Sequence, residues 1–294
     1  MVAFDELIID AVLNEAWNYQ FLAYPNPTVG ACVVKGREIL SLAVHTKAGT
    51  PHAEVSALKE AYIKLSGDRE IKQIVDAAKL HDYLKQNAKM IFHDCEMYVT
   101  LEPCNHFGKT PPCSLLLKEL KLKRVVYAID DPNANSSGGA QELQENGIEV
   151  KKLYSKKADD LIEPFRIWQK RSFNLFKLAL RVDGSIEGSV SSLESRTYAH
   201  KIRDVVDMLY IGGNSVRVDR PILDSRLCGG KAPNVTIISN RDDFDRTTPL
   251  FDVKNRSVSI KKSIEKRQPS FAMIEGGGRL MDSFGGSIDW FLLF

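Results

Sequence analysis

Apolar residues recur every three to four positions over residues 5–22, with Leu7, Ile8, Ala11, Val12 and Ala16 on one stripe, and predict an opening helix. The Pro-rich "YPNPTVG" ends it. The pattern then shortens to strand alternation in "GACVVKGREILSLAVH", and Lys35-Gly36 at its centre predicts a hairpin. A helix is expected from Pro51, since proline suits the first helical position. Further on, "EMYVTL" and "RVVYAID" read as strands and "CSLLLKEL" and "AQELQENG" as helices, the latter closed by Gly147. "IEVKKL" is a last strand. Strand and helix alternate after residue 90, which predicts an α/β layer structure with some parallel pairing.

The segment 62–94 is charged and helical in pattern, and reads as surface helices inserted between two core elements. "KKADDLIEPFRIWQKR" predicts a linking helix, and a second domain is expected from Phe173. Its strands are "FNLFKLAL", "MLYIGG", "NVTIIS" and "SFAMIEGGG", and the closing "SIDWFLLF" reads as a buried central strand. No internal repeat or low-complexity tract interrupts this order.

Composition narrows the partners. Forty Lys+Arg against 38 Asp+Glu leave a net charge of +2, so no basic field points to nucleic acid. No apolar run is long enough to cross a bilayer, and the acidic N-terminus lacks a signal-peptide pattern. A cytoplasmic location is expected, where Cys32, Cys95, Cys104, Cys113 and Cys228 stay reduced and serve as core residues or metal ligands.

Candidate chemistry sits at two places. "PHAEVSAL" opens its helix with a His and a Glu two residues apart, and "TLEPCNHFGKTPPCSLLL" carries two Cys in a Pro-rich loop. Taken singly, His52 and Glu54 would be helix-capping residues, and Cys104 and Cys113 small core residues. Together they approach the zinc-deaminase signature His-x-Glu followed by Pro-Cys-x-x-Cys, in which the Glu is a proton shuttle and not a ligand. His52, Cys104 and Cys113 are the expected zinc ligands, one zinc per chain, with Glu54 catalytic. The second Cys lies nine positions after the first rather than three. In the second domain, Gly276-Gly277-Gly278 between a strand and a helix either forms a tight turn or leaves backbone N–H groups free for a phosphate. No G-x-G-x-x-G supports a Rossmann domain.

At "NPTVGACVVKGREI", "HTKAGTPHAEVSAL" and the long Cys-x8-Cys loop, the chain resembles the bifunctional riboflavin-biosynthesis deaminase/reductases. "FKLALRVDGSIEG", "IGGNSVRVDRPILDSRL" and "MIEGGGRLMDSF" are similar to the reductase half of that family. The resemblance implies an α/β protein with a cytidine-deaminase-like three-layer domain over 1–153, a linker helix over 154–172, and a dihydrofolate-reductase-like domain over 173–294. That second domain implies a mixed sheet. Family members continue for several more strands, so it is expected to be truncated. The implied substrate is 2,5-diamino-6-(5-phosphoribosylamino)pyrimidin-4-one. The implied chemistry is hydrolytic loss of the ring 2-amino group, followed by NADPH-dependent reduction of the ribosyl to a ribityl group.

By the same resemblance, Asn26, His45, His106 and Lys109 contact the pyrimidine or its phosphate. Arg196, Leu223, Arg226 and Glu275 meet the reductase substrate, and Ser215, Asp219, Gly277 and Gly278 meet NADPH. A homodimer or tetramer is implied. The stretch from Asp183-Gly184 to Arg203 is shorter than in the family and lacks its Trp-containing segment. Two other readings stay open: a deaminase whose reductase domain is inactive or incomplete, and a non-catalytic zinc-containing binding or assembly module.

Overall fold

The computed structural model describes residues 3–108, 110–185, 191–264 and 269–294. Lys109 and the Gly188 end of "FKLALRVDGSIEG" lie outside the described residues. The chain forms two compact units, Met1–Glu163 and Pro164–Phe294. Among the described residues no helix is long and apolar enough to cross a membrane.

The first unit opens with α1 (Phe4–Trp17). Its buried stripe is Ile8, Ile9, Val12, Leu13 and Ala16, one position on from the predicted register, and Leu7 faces solvent. The helix stops at Trp17 rather than near residue 22. Phe21 adopts a left-handed backbone (φ 73°), which no helix continues through, and the turn tucks Phe21 and Leu22 into the core. The predicted hairpin is β1 (Gly30–Lys35) with β2 (Glu38–Val44), antiparallel around Gly36 in the left-handed region. Then follow α2 (Ala53–Ser66), α3 (Ala77–Asn87), β3 (Cys95–Leu101), α4 (Cys113–Glu119), β4 (Arg124–Ile129), α5 (Gly139–Glu145) and β5 (Glu149–Lys152).

The sheet order is β2-β1-β3-β4-β5. β1 pairs antiparallel with β2 and β3, whereas β3–β4 and β4–β5 are parallel. Residues 30–34 of β1 are all buried, so both faces of the strand are covered. α1 and α2 both pack against it, giving three layers. Gly30 is required there, because an added Cβ would stand 2.8 Å from Val12 Cγ1.

The segment 62–94 is more than surface decoration. Ile71, Leu80, Leu84 and Phe92 are fully buried or nearly so, and each such burial stabilises by roughly 1.5–3 kcal/mol. The amphipathic spacing of α3 is therefore a core-facing signal, which charge at the other positions conceals.

α6 (Lys156–Trp168) carries the boundary between the units. In the second unit, Trp168 stacks on Phe271 at 5.7 Å between ring centroids, and Phe173 meets the same ring at 5.6 Å. The elements that follow are β6 (Phe173–Leu178), α7 (Leu193–Val205), β7 (Met208–Gly212), α8 (Gly213–Asp219), β8 (Val235–Ile238), β9 (Val258–Lys261), β10 (Phe271–Glu275), α9 (Gly278–Phe284) and β11 (Trp290–Leu293). The sheet order is β11-β6-β10-β7-β8-β9.

Every described pair in this sheet is parallel, where a mixed sheet was expected. Among the described residues no two strands consecutive in sequence are joined by a tight hairpin turn, and parallel neighbours need longer crossovers. The final strand is an edge strand and not a central one. Among the described residues it pairs with β6 alone, so Phe291 and Leu293 are exposed while Trp290 and Leu292 are half-buried. Asp289 anchors its entry through two hydrogen bonds from Arg171 and one from the Asn174 N–H.

β7 and β10 are neighbours, yet the chain leaves them in opposite directions, from β7 through α8 to β8 and from β10 through α9 to β11. In an open parallel sheet this reversal leaves a crevice at the carboxyl ends of the two strands.

Candidate active site

His52 immediately precedes α2 and adopts extended backbone, with its carbonyl accepting from Ser56 N–H. Ala53, Val55, Ala57 and Leu58 anchor the helix in the core, which leaves His52 and Glu54 at its buried mouth. Cys104 follows the end of β3 by three residues, and Cys113 opens α4. His52 Nδ1 lies 3.6 Å from Cys104 Sγ and 3.4 Å from Cys113 Sγ. The three donor atoms lie within 4.8 Å of one another. One imidazole nitrogen and two sulfurs at this mutual distance suit a tetrahedral zinc with one position left over.

Electrostatics at this point are strongly perturbed. The Cys113 thiol hydrogen bond, assisted by His52 and by the Cys113 N–H at 3.4 Å, holds Cys104 far below the usual thiol range. Its neighbour Cys113 is pushed up, first by Cys104 and then by burial. Burial alone would lower His52, but the Cys104 hydrogen bond and the charges of Glu54 and Cys104 raise it to about 9. Glu54 is buried, and burial pushes its carboxyl up to about 7 against the opposing pull of His52. A carboxyl so placed can both take and return a proton near neutrality.

Asn26 and His45 stand beside this group. His45 Nδ1 is 3.1 Å from the Pro51 carbonyl, which only accepts, so Nδ1 carries the proton. His45 Nε2 then accepts from Asn26 Nδ2 at 3.0 Å. The His45 ring meets the His52 ring edge-on, 5.4 Å between centroids. His106 is exposed in the loop between the two cysteines.

Glu102, which carried no expected role, holds the loop that frames Cys104. Its buried carboxylate accepts from the N–H groups of Asp131, Gly138 and Ala140 at 3.0–3.2 Å. Gly139 packs so tightly against this loop that an added Cβ would fall 1.9 Å from the Pro103 carbonyl oxygen. A Glu ending an apolar strand just before Pro-Cys was the available signal.

In the second unit the expected residues are spread over several elements. Ser215 and Asp219 lie on α8, and Gly277 and Gly278 lie at the start of α9, so all four follow the carboxyl ends of the adjacent strands β7 and β10. A Cβ added at Gly278 would meet nothing within 4 Å. This open backbone at the sheet's point of reversal suits an extended phosphate-bearing cofactor.

Glu275 ends β10 buried and is held by Arg203, with Nε–Oε1 2.6 Å and Nη2–Oε2 2.8 Å. Lys177 Nζ stands 3.9 Å away. Burial would raise Glu275, but Arg203 outweighs it and keeps the carboxylate ionised. Arg226 pairs with Asp224 at 2.7 Å. Arg196 is exposed on α7, which packs against the turn carrying Arg226. Leu223 is buried in left-handed backbone (φ 57°), and Arg256 donates to its carbonyl at 2.7 Å. Arg203 and Arg256 were not anticipated, because their partners lie 72 and 33 residues away in sequence.

Residues 3–129 match the family described as the cytidine and deoxycytidylate deaminase zinc-binding region. The first unit therefore contains a domain of the zinc-deaminase class, and the matched span includes His52, Glu54, Cys104 and Cys113. Over longer spans the chain is similar to the riboflavin biosynthesis protein RibD of Aquifex aeolicus, 33% identical over 95% of this chain and 83% of that one. It is 34% identical to RibD of Synechocystis sp., over 78% of this chain and 57% of that one. The crystal structure of a diaminohydroxyphosphoribosylaminopyrimidine deaminase/5-amino-6-(5-phosphoribosylamino)uracil reductase from Thermotoga maritima superposes with a TM-score of 0.70. That match has 26% identity and covers 97% of this chain and 84% of the other. The chain belongs to the RibD family of riboflavin biosynthesis proteins. It spans little more than half the length of the Synechocystis relative.

Proposed function

We propose that this chain performs two consecutive steps on a phosphoribosylated pyrimidine: hydrolytic deamination in the first unit and NADPH-dependent reduction in the second. The observation that carries the first step is the convergence of His52, Cys104 and Cys113 donors within 4.8 Å beside the buried Glu54. The name of the Thermotoga maritima relative supports the substrate, 2,5-diamino-6-(5-phosphoribosylamino)pyrimidin-4-one, and the order of the steps.

His52, Cys104 and Cys113 would hold the zinc, which would supply the Lewis acidity that makes water a competent nucleophile at neutral pH. Glu54 takes the proton of the attacking water and returns it to the departing amine. The water oxygen bonds to ring C2, the C2–N bond breaks, and ammonia leaves. Asn26 and His45 are tied together by their mutual hydrogen bond, and with His106 and Lys109 they would contact the ring or the phosphate. In the second unit a bound NADPH would supply the hydride for C1′ of the opened sugar. Ser215, Asp219, Gly277 and Gly278 would hold the cofactor. Arg196, Arg226, Leu223 and the Arg203-paired Glu275 hold the phosphoribosyl substrate. The resident thiols suit a reducing cytoplasmic setting, and the partners are the pyrimidine and a second copy of the chain, not nucleic acid or membrane.

The test measures zinc per chain, ammonia release from the diaminopyrimidinone, and NADPH oxidation on the deaminated product. Zinc-loaded protein that releases no ammonia would overturn the first step. A second reading, deamination alone, draws on the internal pairing of Glu275 with Arg203 and of Arg226 with Asp224. Ammonia release without NADPH oxidation would favour it.

A further inference from the structure

The segment 62–94 reaches the donor cluster through one peptide bond. His81 on α3 is buried, 3% exposed. Its Nε2 lies 3.4 Å from the Pro112 carbonyl oxygen. A carbonyl offers only lone pairs, so Nε2 carries the proton and donates. The Pro112–Cys113 peptide unit is planar and rotates as one plate. At the opposite edge of that plate the Cys113 N–H donates to Cys104 Sγ at 3.4 Å. Hydrogen bonds in series polarise one another, so a donor on the carbonyl strengthens the N–H facing the sulfur.

A second tie runs in the same direction. Lys85, one turn after His81 on the same helix face, pairs with Glu119 at the far end of α4 at 2.8 Å. Helix α3 is thus fastened to both ends of the helix that begins with Cys113, with Leu80 and Leu84 buried beside it.

We propose that His81 is a positioning residue for the zinc site, fixing the Pro112–Cys113 peptide plane and with it both sulfur donors. This rests on the reading that His52, Cys104 and Cys113 hold zinc. It gives the inserted segment a task in the chemistry, carried out without touching substrate or metal.

The experiment follows zinc loss from the zinc-loaded 294-residue chain during a chase with excess EDTA. His81→Leu and His81→Met remove the donor while roughly keeping volume, and His81→Gln keeps an N–H of similar reach. Leu84→Ala, a buried change on the same helix, controls for lost stability. Zinc release is expected to be about 10-fold faster in the Leu and Met variants, the low end for partners that orient metal ligands, and within about threefold of wild type in the Gln variant. Leu84→Ala should lower Tm and leave zinc release at the wild-type rate. Unchanged release in whichever of the Leu and Met variants folds would overturn the proposal. So would release from the Gln or Leu84→Ala protein as fast as from those variants. Failure of the underlying reading looks different: wild type would hold no zinc, or Cys113→Ser would hold as much as wild type.

Discussion

The two units solve different binding problems, and their expected residues are arranged accordingly. In the first, three donors from three places in the chain converge within 4.8 Å, with a buried carboxyl alongside. In the second, the expected residues sit on α7, α8, β10, α9 and a turn, and several are tied to partners within the protein. A small dication demands atoms at one point, so short motifs at the ends of regular elements can specify it. On the proposed reading a long dinucleotide would be met by backbone at strand ends, its place given by where the sheet reverses direction.

That contrast can be tested from one end first. Cys113→Ser should abolish zinc retention and ammonia release together while NADPH oxidation on the deaminated product continues, as metal analysis and the two assays would record. Retained ammonia release in zinc-free protein would remove the metal from the first unit's chemistry. Glu54→Gln separates binding from proton transfer. It should keep zinc and lose roughly 10²–10⁴-fold in ammonia release, the usual contribution of a positioned acid–base group.

The reciprocal change lies in the second unit. Arg203→Met leaves Glu275 buried without its bidentate partner, which should cost that unit about 3–5 kcal/mol. Denaturant melts should show one destabilised transition, with NADPH oxidation reduced and ammonia release at the wild-type rate. Equal loss of both activities would mean that the units do not respond separately.

The smallest effect concerns the first unit's outer edge. Asp5 accepts from Arg124, Lys151 and Tyr98, and the Arg124 hydrogen bond above all holds its carboxyl well below the usual range. A depressed acid stabilises the fold above its unfolded pKa, near 4, and loses that contribution as pH falls through the folded value. Asp5→Asn should therefore destabilise by about 1–3 kcal/mol at pH 7, the range for hydrogen bonds to charged groups. The Tm difference from wild type should shrink below about pH 4. A pH-independent difference would assign the effect to packing.

Much of the first unit was legible in the chain. The hairpin around Gly36 and the strands "EMYVTL" and "RVVYAID" follow from local spacing, because strand alternation is a property of a few consecutive residues. Grouping His-x-Glu with two cysteines far along the chain came instead from a motif signature. Two of the misses share a cause. Leu7 and Ile9 are equally apolar, and only packing against β1 and β3 decided which one is buried. The "DWFLLF" segment carries the hydropathy of a central strand, but pairing places it at an edge. α7 and β9 were not anticipated, since polar residues interrupt their short apolar pattern.

The sequence by itself determined which side chains could do chemistry and the local elements that carry them. His52 and Glu54 share a helix start through covalent spacing alone. Only the tertiary structure decided what meets what: Glu102 with three distant N–H groups, Arg203 with Glu275, His81 with the Pro112 carbonyl. Such partners are tens of residues apart, and any donor could serve any acceptor until sheet order and helix packing bring one pair to bonding distance. A buried polar group must then take the partner that the fold supplies, because water is no longer there to replace it.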